Sequence, residues 1–132
     1  MANIIIFDKD IYINNHPVLR INSDIDIRTL ENDDIFKNID NVINLTKQEY
    51  NNGLCKEKFI ILVDFSKLNK DDVDISKIKS ILKYVLNKYS NNLEKCVIYN
   101  YTIFWKFLIN IIMGILDKET KKKICFKKNL QI

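Results

Sequence analysis

Glycine, proline and histidine are nearly absent from this chain, and each scarcity removes a class of function. The two glycines, Gly53 and Gly114, stand alone and cannot build a phosphate-cradling G-x-G-x-x-G or Walker-type loop. The one histidine, His16, sits beside the one proline, Pro17, in a segment that reads as a turn. With no second histidine, the usual triads and general bases have little to work with. The three cysteines, Cys55, Cys96 and Cys125, are widely spaced and contain no C-x-x-C pair. That pattern argues against a zinc site or a disulfide framework and for a reducing compartment. Cys96 and Cys125 each lie in an apolar stretch and read as buried structural thiols. The amino-terminal Ile4-Ile5-Ile6-Phe7 has neither a positive flank nor a long apolar core, so no signal peptide is expected.

What is present fits one globular domain spanning residues 1–132, with 47% apolar and 29% charged residues. A net charge of +4 suits an anionic partner such as a membrane surface or nucleic acid, without choosing between them. Ile11–Ile13 and Val18–Ile21 read as short strands around an Asn14-Asn15-His16-Pro17 turn. Ile35, Phe36, Ile39, Val42, Ile43 and Tyr50 recur at helical spacing between residues 33 and 52, with Asp33 or Asp34 as cap and Gly53 as stop. Phe59 to Val63 is an unbroken apolar run, the signature of a strand buried on both faces in a parallel sheet. A second helix is marked by the stripe Ile75, Ile78, Ile81, Leu82, Val85, Leu86 and Tyr89, with Asp74 as cap and Lys77, Lys79, Lys83 and Lys88 on the surface. Cys96–Tyr99 and Ile124–Phe126 complete a strand–helix alternation that predicts a mainly parallel α/β sheet with right-handed crossovers. Asp64, at the carboxyl end of a buried strand, lacks a nucleophile, a histidine or a metal-spaced partner nearby. It reads as a hydrogen-bonding cap for the next loop, and no enzymatic activity, cofactor or metal is expected.

Two features ask for an explanation. The stretch Ile103–Leu116 is apolar over almost its whole circumference, and its only breaks are Lys106, Asn110 and Gly114, which form one narrow stripe. A bilayer span needs about 20 apolar residues, and this stretch falls short with a lysine inside it. The helix is therefore buried nearly all round by protein, or meets a lipid or partner on a second face. Directly after it come Lys118, Lys121, Lys122, Lys123, Lys127 and Lys128. Nearby aromatic residues sit within apolar runs rather than between these lysines, which disfavours nucleic acid as the partner.

Four stretches, Phe59-Ile60-Ile61-Leu62-Val63-Asp64-Phe65-Ser66, Leu86-Asn87-Lys88-Tyr89, Val97-Ile98-Tyr99-Asn100 and Leu116-Asp117-Lys118-Glu119-Thr120-Lys121-Lys122-Lys123-Ile124, resemble the CRAL-TRIO lipid-binding domain in order and spacing. His16-Pro17-Val18-Leu19-Arg20 resembles that family's G-R-P-V strand start. The resemblance runs from about residue 8 to residue 127 and implies a minimal version without the family's N-terminal helical domain. It implies a mainly parallel sheet with helices enclosing a hydrophobic pocket, and a gate formed by Phe104, Trp105, Phe107, Leu108, Ile111, Ile112 and Ile115. In the phosphatidylinositol-transfer branch an L-D-x-x-T-x-x-K-I stretch contacts the inositol phosphate; its Thr and Lys are Thr120 and Lys123 here. Where that branch has the Glu of a Y-P-E-R stretch, this chain has Asn91. The family's N-x-P is Asn100-Tyr101-Thr102.

The resulting expectation is a cytoplasmic, peripherally membrane-associated protein that exchanges a phospholipid, phosphatidylinositol first, between membranes. Lys118, Lys121 and Lys122 would steer it to a transient membrane surface. The alternatives are a protein-interaction module that dimerises through the apolar helix, and a carrier of another hydrophobic ligand such as a sterol or retinoid.

Overall fold

The computed structural model describes residues 4–22, 27–51, 53, 57–66 and 75–128. Strands β1 (Ile5–Ile13) and β2 (His16–Ile21) form an antiparallel hairpin. Its turn is Asn14-Asn15, both left-handed with φ 51° and 66°. Asparagine tolerates that region better than other side chains, and a double left-handed turn matches the twist of a hairpin. His16 and Pro17 thus belong to β2, opposite Ile13 and Tyr12, rather than to the turn. Pro17 lies just before β2 begins pairing with β3 at Val18, where a missing N–H does least harm. The His16 ring is tied down as well, with Nδ1 2.8 Å from the carbonyl of Lys58. β1 also extends well upstream of its expected start, with a register irregularity between Phe7 and Tyr12.

The sheet runs β1-β2-β3-β4-β5, where β3 is Phe59–Asp64, β4 is Leu93–Tyr99 and β5 is Ile124–Lys127. From β2 onward every neighbouring pair is parallel. Helices α1 (Asn32–Asn51), α2 (Ile75–Lys88) and α3 (Ile103–Met113), followed by the short α4 (Lys118–Lys122), make the crossovers. Strands in sequential order joined by right-handed crossovers put their helices on a common face, and the core follows that rule. Leu19, Phe59, Ile61, Val63 and Ile98 share one cluster with Ile35, Ile39 and Ile43 of α1, Ile78, Leu82 and Val85 of α2, and Trp105, Leu108 and Ile112 of α3. The opposite sheet face carries a smaller cluster of Ile13, Val18, Ile60, Leu62 and Val97. β3 is buried from Phe59 to Val63 because side chains of both faces are covered.

Asp33 and Asp34 lie inside the first turn of α1 instead of capping it, where their charges favour the positive end of the helix dipole. Gly53 follows the helix with φ 72°, a conformation that glycine adopts without a steric penalty. Asp74 and Cys55 lie outside the described residues. Lys79, Lys83 and Lys88 are exposed, as the α2 stripe predicts, but Lys77 is half-buried. Its Nζ donates to the carbonyls of Ile27, Arg28 and Leu30 at the end of a 3-10 turn, Ile27–Thr29. Helix ends leave such carbonyls without partners, and an ammonium with three donors satisfies them together. Cys96 is buried and burial pushes its thiol up to about 12, whereas Cys125 is only half-buried because it lies on the edge strand.

α1 and α2 are joined by a polar knot. Asp40 accepts hydrogen bonds from Tyr84 at 2.7 Å, from Lys88 at 3.0 Å and from the Tyr89 hydroxyl. Phe36 stacks on the Tyr84 ring at 4.1 Å beside it. Burial alone would raise the Asp40 carboxyl, but the bonds from Tyr89, Tyr84 and Lys88 outweigh it and hold it below the usual carboxylate range. A depressed folded-state pKa contributes stability that is complete above the ordinary pKa and fades as pH falls through the folded value. Asp40→Asn should therefore destabilise the domain at pH 7 by about 1–2 kcal/mol. In thermal melts from neutral pH down to about pH 3, the gap between variant and wild type should close on the acid side.

Candidate functional site

The corner from β4 to β5 contains every expected headgroup, gate and docking residue except Asn91. Asn100 leaves β4 with φ 54°, and its side-chain amide donates to Asp64 Oδ1 at 3.2 Å. The same oxygen accepts the backbone amide of Ser66 at 2.9 Å, so Asp64 ties together the carboxyl ends of β3 and β4. Thr102 then caps α3, its hydroxyl accepting from the Trp105 amide at 3.4 Å. Tyr101 packs edge-on against Phe126, with ring centroids 5.3 Å apart. Lys106 Nζ lies 5.8 and 5.7 Å from those two rings, a cation–π contact that anchors the amino end of α3 to β5.

α3 has two apolar sides. Trp105, Leu108, Ile109 and Ile112 are buried against the sheet, Trp105 with 2% of its surface exposed. Its ring stacks on Phe65 with centroids 4.6 Å apart and planes at 4°. The outer side carries Ile103 (89% exposed), Phe107 (65%), Ile111 and Ile115, spaced four residues apart, alongside Lys106, Asn110 and Gly114. The expected gate residues therefore divide. Trp105, Leu108 and Ile112 face inward, Phe104 is half-buried, and Phe107, Ile111 and Ile115 face solvent, since one helix can turn only one side to a sheet. Ile109 inside and Ile103 outside belong to the same two rows. The helix stops at Met113, short of the expected Leu116, and Gly114 caps it with an ordinary φ of −60°.

The segment from Leu116 to Ile124 is compact. Leu116 and Ile124 are buried at its two ends. Asp117 caps α4, its Oδ1 accepting the Thr120 amide at 2.7 Å. Bonds from the Thr120 backbone and hydroxyl hold the Asp117 carboxyl below its ordinary range. Thr120 is itself 2% exposed. Lys123, half-buried at the end of α4, donates from Nζ to the carbonyl of Ser90 at 2.6 Å. Ser90 opens the 3-10 turn Ser90–Asn92, so Lys123 is brought to the loop that holds the exposed Asn91. Lys118 and Lys122 are exposed and Lys121 is half-buried; Lys127 and Lys128 are exposed at the end of β5. The Glu119–Lys122 pair, at 3.7 Å and open to solvent, adds little.

α4 itself is missed by apolar periodicity, because Lys-Glu-Thr-Lys-Lys has none. The signal that could have found it is Asp117 three residues before Thr120, a capping spacing. Among the described residues no helix is long and apolar enough to cross a membrane, and no group of three or more His, Cys, Asp or Glu gathers as a metal site.

A family model for the CRAL/TRIO domain matches residues 6–132. This chain belongs to the CRAL/TRIO domain family. The family comprises lipid-binding carriers rather than enzymes. The crystal structure of the yeast protein Sfh5 matches with a TM-score of 0.56 at 18% identity, over 93% of this chain and 46% of Sfh5. That likeness concerns the fold, and the chain spans about half the length of Sfh5. No curated protein sequence matches the chain. The corner built by Asp117 is the joint between α3 and the last strand, β5. Asp117→Ala should lower the melting temperature at pH 7, while Asp117→Asn, which keeps a side-chain acceptor, should stay close to wild type. Because the Asp117 pKa is depressed, the deficit of the alanine variant should shrink as melts are repeated below the ordinary carboxylate range.

Proposed function

We propose that this domain binds one phospholipid, phosphatidylinositol, and exchanges it between membranes. The observation that carries the reading is the contact of Lys123 with the Ser90 carbonyl, which joins the T-x-x-K segment to the Asn91 loop. Two elements far apart in sequence thereby present a cation and an amide to the same neighbourhood. An ammonium pairs with phosphate as a point charge and an asparagine amide hydrogen-bonds an inositol hydroxyl. Thr120 is buried three residues before Lys123, its hydroxyl engaged with Asp117; its part is to help position Lys123 and, on ligand binding, to redirect that hydroxyl toward the phosphate.

The membrane step follows from the outer side of α3. Ile103, Phe107, Ile111 and Ile115 form an exposed apolar ridge on the helix that leads into the lysine-rich corner. Exposed Lys118 and Lys122, with Lys121 half-buried between them, flank that ridge in sequence. Each lysine near an anionic bilayer contributes on the order of 1 kcal/mol, and the ridge adds area buried in the headgroup region. Peripheral association of this kind uses no spanning helix.

Transfer of labelled phosphatidylinositol between vesicles tests the headgroup assignment. Lys123→Ala should slow transfer by about tenfold or more, the scale of one lost charge-assisted hydrogen bond, while Lys127→Ala leaves it near wild type. Thermal melts of Lys123→Ala establish that the variant is folded, since the Ser90 tether is lost too. Equal transfer by Lys123→Ala and wild type would remove phosphatidylinositol from the proposal and leave a carrier of another apolar ligand. The docking assignment is tested by flotation with vesicles containing anionic lipid. Phe107→Asp should abolish binding, and Lys118→Glu with Lys122→Glu should weaken it most at low salt.

A further inference from the structure

We infer that Trp105 fills the acyl-chain site of this domain while the site is empty, and that a bound chain displaces its indole from Phe65. The inference rests on the lipid-binding reading and specifies where along the chain the hydrocarbon enters. Trp105 is the only tryptophan, the bulkiest inward side chain of α3 and almost fully buried. Among the described residues its indole packs face to face with Phe65 at 4.6 Å and edge to face with Phe104 at 5.2 Å. A buried indole normally gives its N–H a partner, yet among the described residues the hydrogen bond given for Trp105 outside the helix backbone is that of its backbone amide to Thr102. Phe65 stands immediately beyond β3, at the rim where the sheet meets the start of α3.

The other helices could not serve as a cover. The outer side of α2 bears Lys79, Lys83 and Lys88, and α1 is latched to α2 through Asp40. Moving either would bring charge against apolar surface or break the Asp40 knot. α3 instead has apolar rows on both sides; Thr102 caps its start and Gly114 its end, and Asp117 opens the separate helix α4. In water, lifting α3 exposes Trp105, Leu108, Ile109 and Ile112 together and is disfavoured. When an acyl chain takes the place of the indole, the Phe65 face stays covered and little apolar surface is lost to solvent. The indole is thus a stand-in for the chain, and its bulk sets how much of the population is ready to accept one.

Because there is one tryptophan, its emission reports this event without ambiguity. The protein is loaded from phosphatidylcholine vesicles containing phosphatidylinositol with brominated acyl chains, freed of vesicles by gel filtration, and its bound lipid counted by native mass spectrometry. Emission should fall well below that of protein loaded with unbrominated lipid, since bromine quenches on contact. Trp105→Phe and Phe65→Leu, which relax the plug in two different ways, should each load faster by about fivefold as the competent fraction rises. A purely structural role would lower the melting temperature of both variants without speeding loading. Lipid-loaded wild type with equal emission for both lipids, or loading unchanged in both variants, overturns the plug and leaves lipid binding intact. Absence of bound lipid from all three proteins overturns the lipid-binding reading itself, and the plug with it.

Discussion

A helix lying on a sheet can turn only part of its circumference inward, and α3 is apolar over nearly all of its own. That mismatch organises the rest of the molecule. The inward row, Trp105, Leu108, Ile109 and Ile112, completes the same core that α1 and α2 build over Leu19, Ile61 and Ile98. Among the described residues the outward row has no protein neighbour to match it, and Ile103 and Phe107 are exposed. Soluble domains place charge on such a face unless something else is meant to cover it. α2 does so in the same sheet, with Lys79, Lys83 and Lys88 outward. The contrast between two neighbouring crossover helices is what supports the proposed role of α3.

The polar chemistry sits where α3 ends. A helix with almost no polar groups cannot read a headgroup, so the proposed function assigns discrimination to the corner that follows it. Asp117 fixes Thr120 and Lys123 joins the Ser90 loop, with Leu116 and Ile124 buried on either side. The corner therefore has two fixed anchors in the core, and α3 approaches it from one side. The proposed sites of apolar exchange and polar selection are separated by only a few residues, so a movement of α3 would not need to disturb the groups proposed to hold the headgroup.

Much of the architecture was legible in the residues. Phe59–Val63 announced a doubly covered strand, and the α2 stripe announced a helix with one dry side, because both patterns report burial directly. The corner was legible in part: resemblance pointed to Thr120 and Lys123, while the Ser90 carbonyl that holds Lys123 carries no sequence signal, being backbone. β1 was half hidden, since Asp8-Lys9-Asp10 breaks the alternation in a strand that is an edge and irregular beyond Phe7. His16 looked like a turn residue because the turn itself takes only Asn14 and Asn15, whose left-handed backbones need no glycine. The two rows of α3 could not be separated by sequence, for an all-apolar helix has no preferred inner side until Phe65 is placed beneath Trp105.

Size bears on the lipid surface proposed to cover the outer row. α3 has 11 residues, which at 1.5 Å per residue gives a ridge roughly 16 Å long and one helix wide. A stable pairing of two proteins buries about 800 Å² on each side, several times the footprint of such a ridge. A second copy docked on α3 would have to recruit the neighbouring surface, and the lysines that follow α3 would then be set against themselves by two-fold symmetry. A bilayer imposes neither demand. It accepts a narrow ridge at any orientation about its normal, and an anionic headgroup layer turns the same lysines from a repulsive into an attractive term. The combination of a small apolar ridge with a cationic flank therefore favours the proposed lipid surface, which is also where the acyl chain proposed to replace the Trp105 indole would be found.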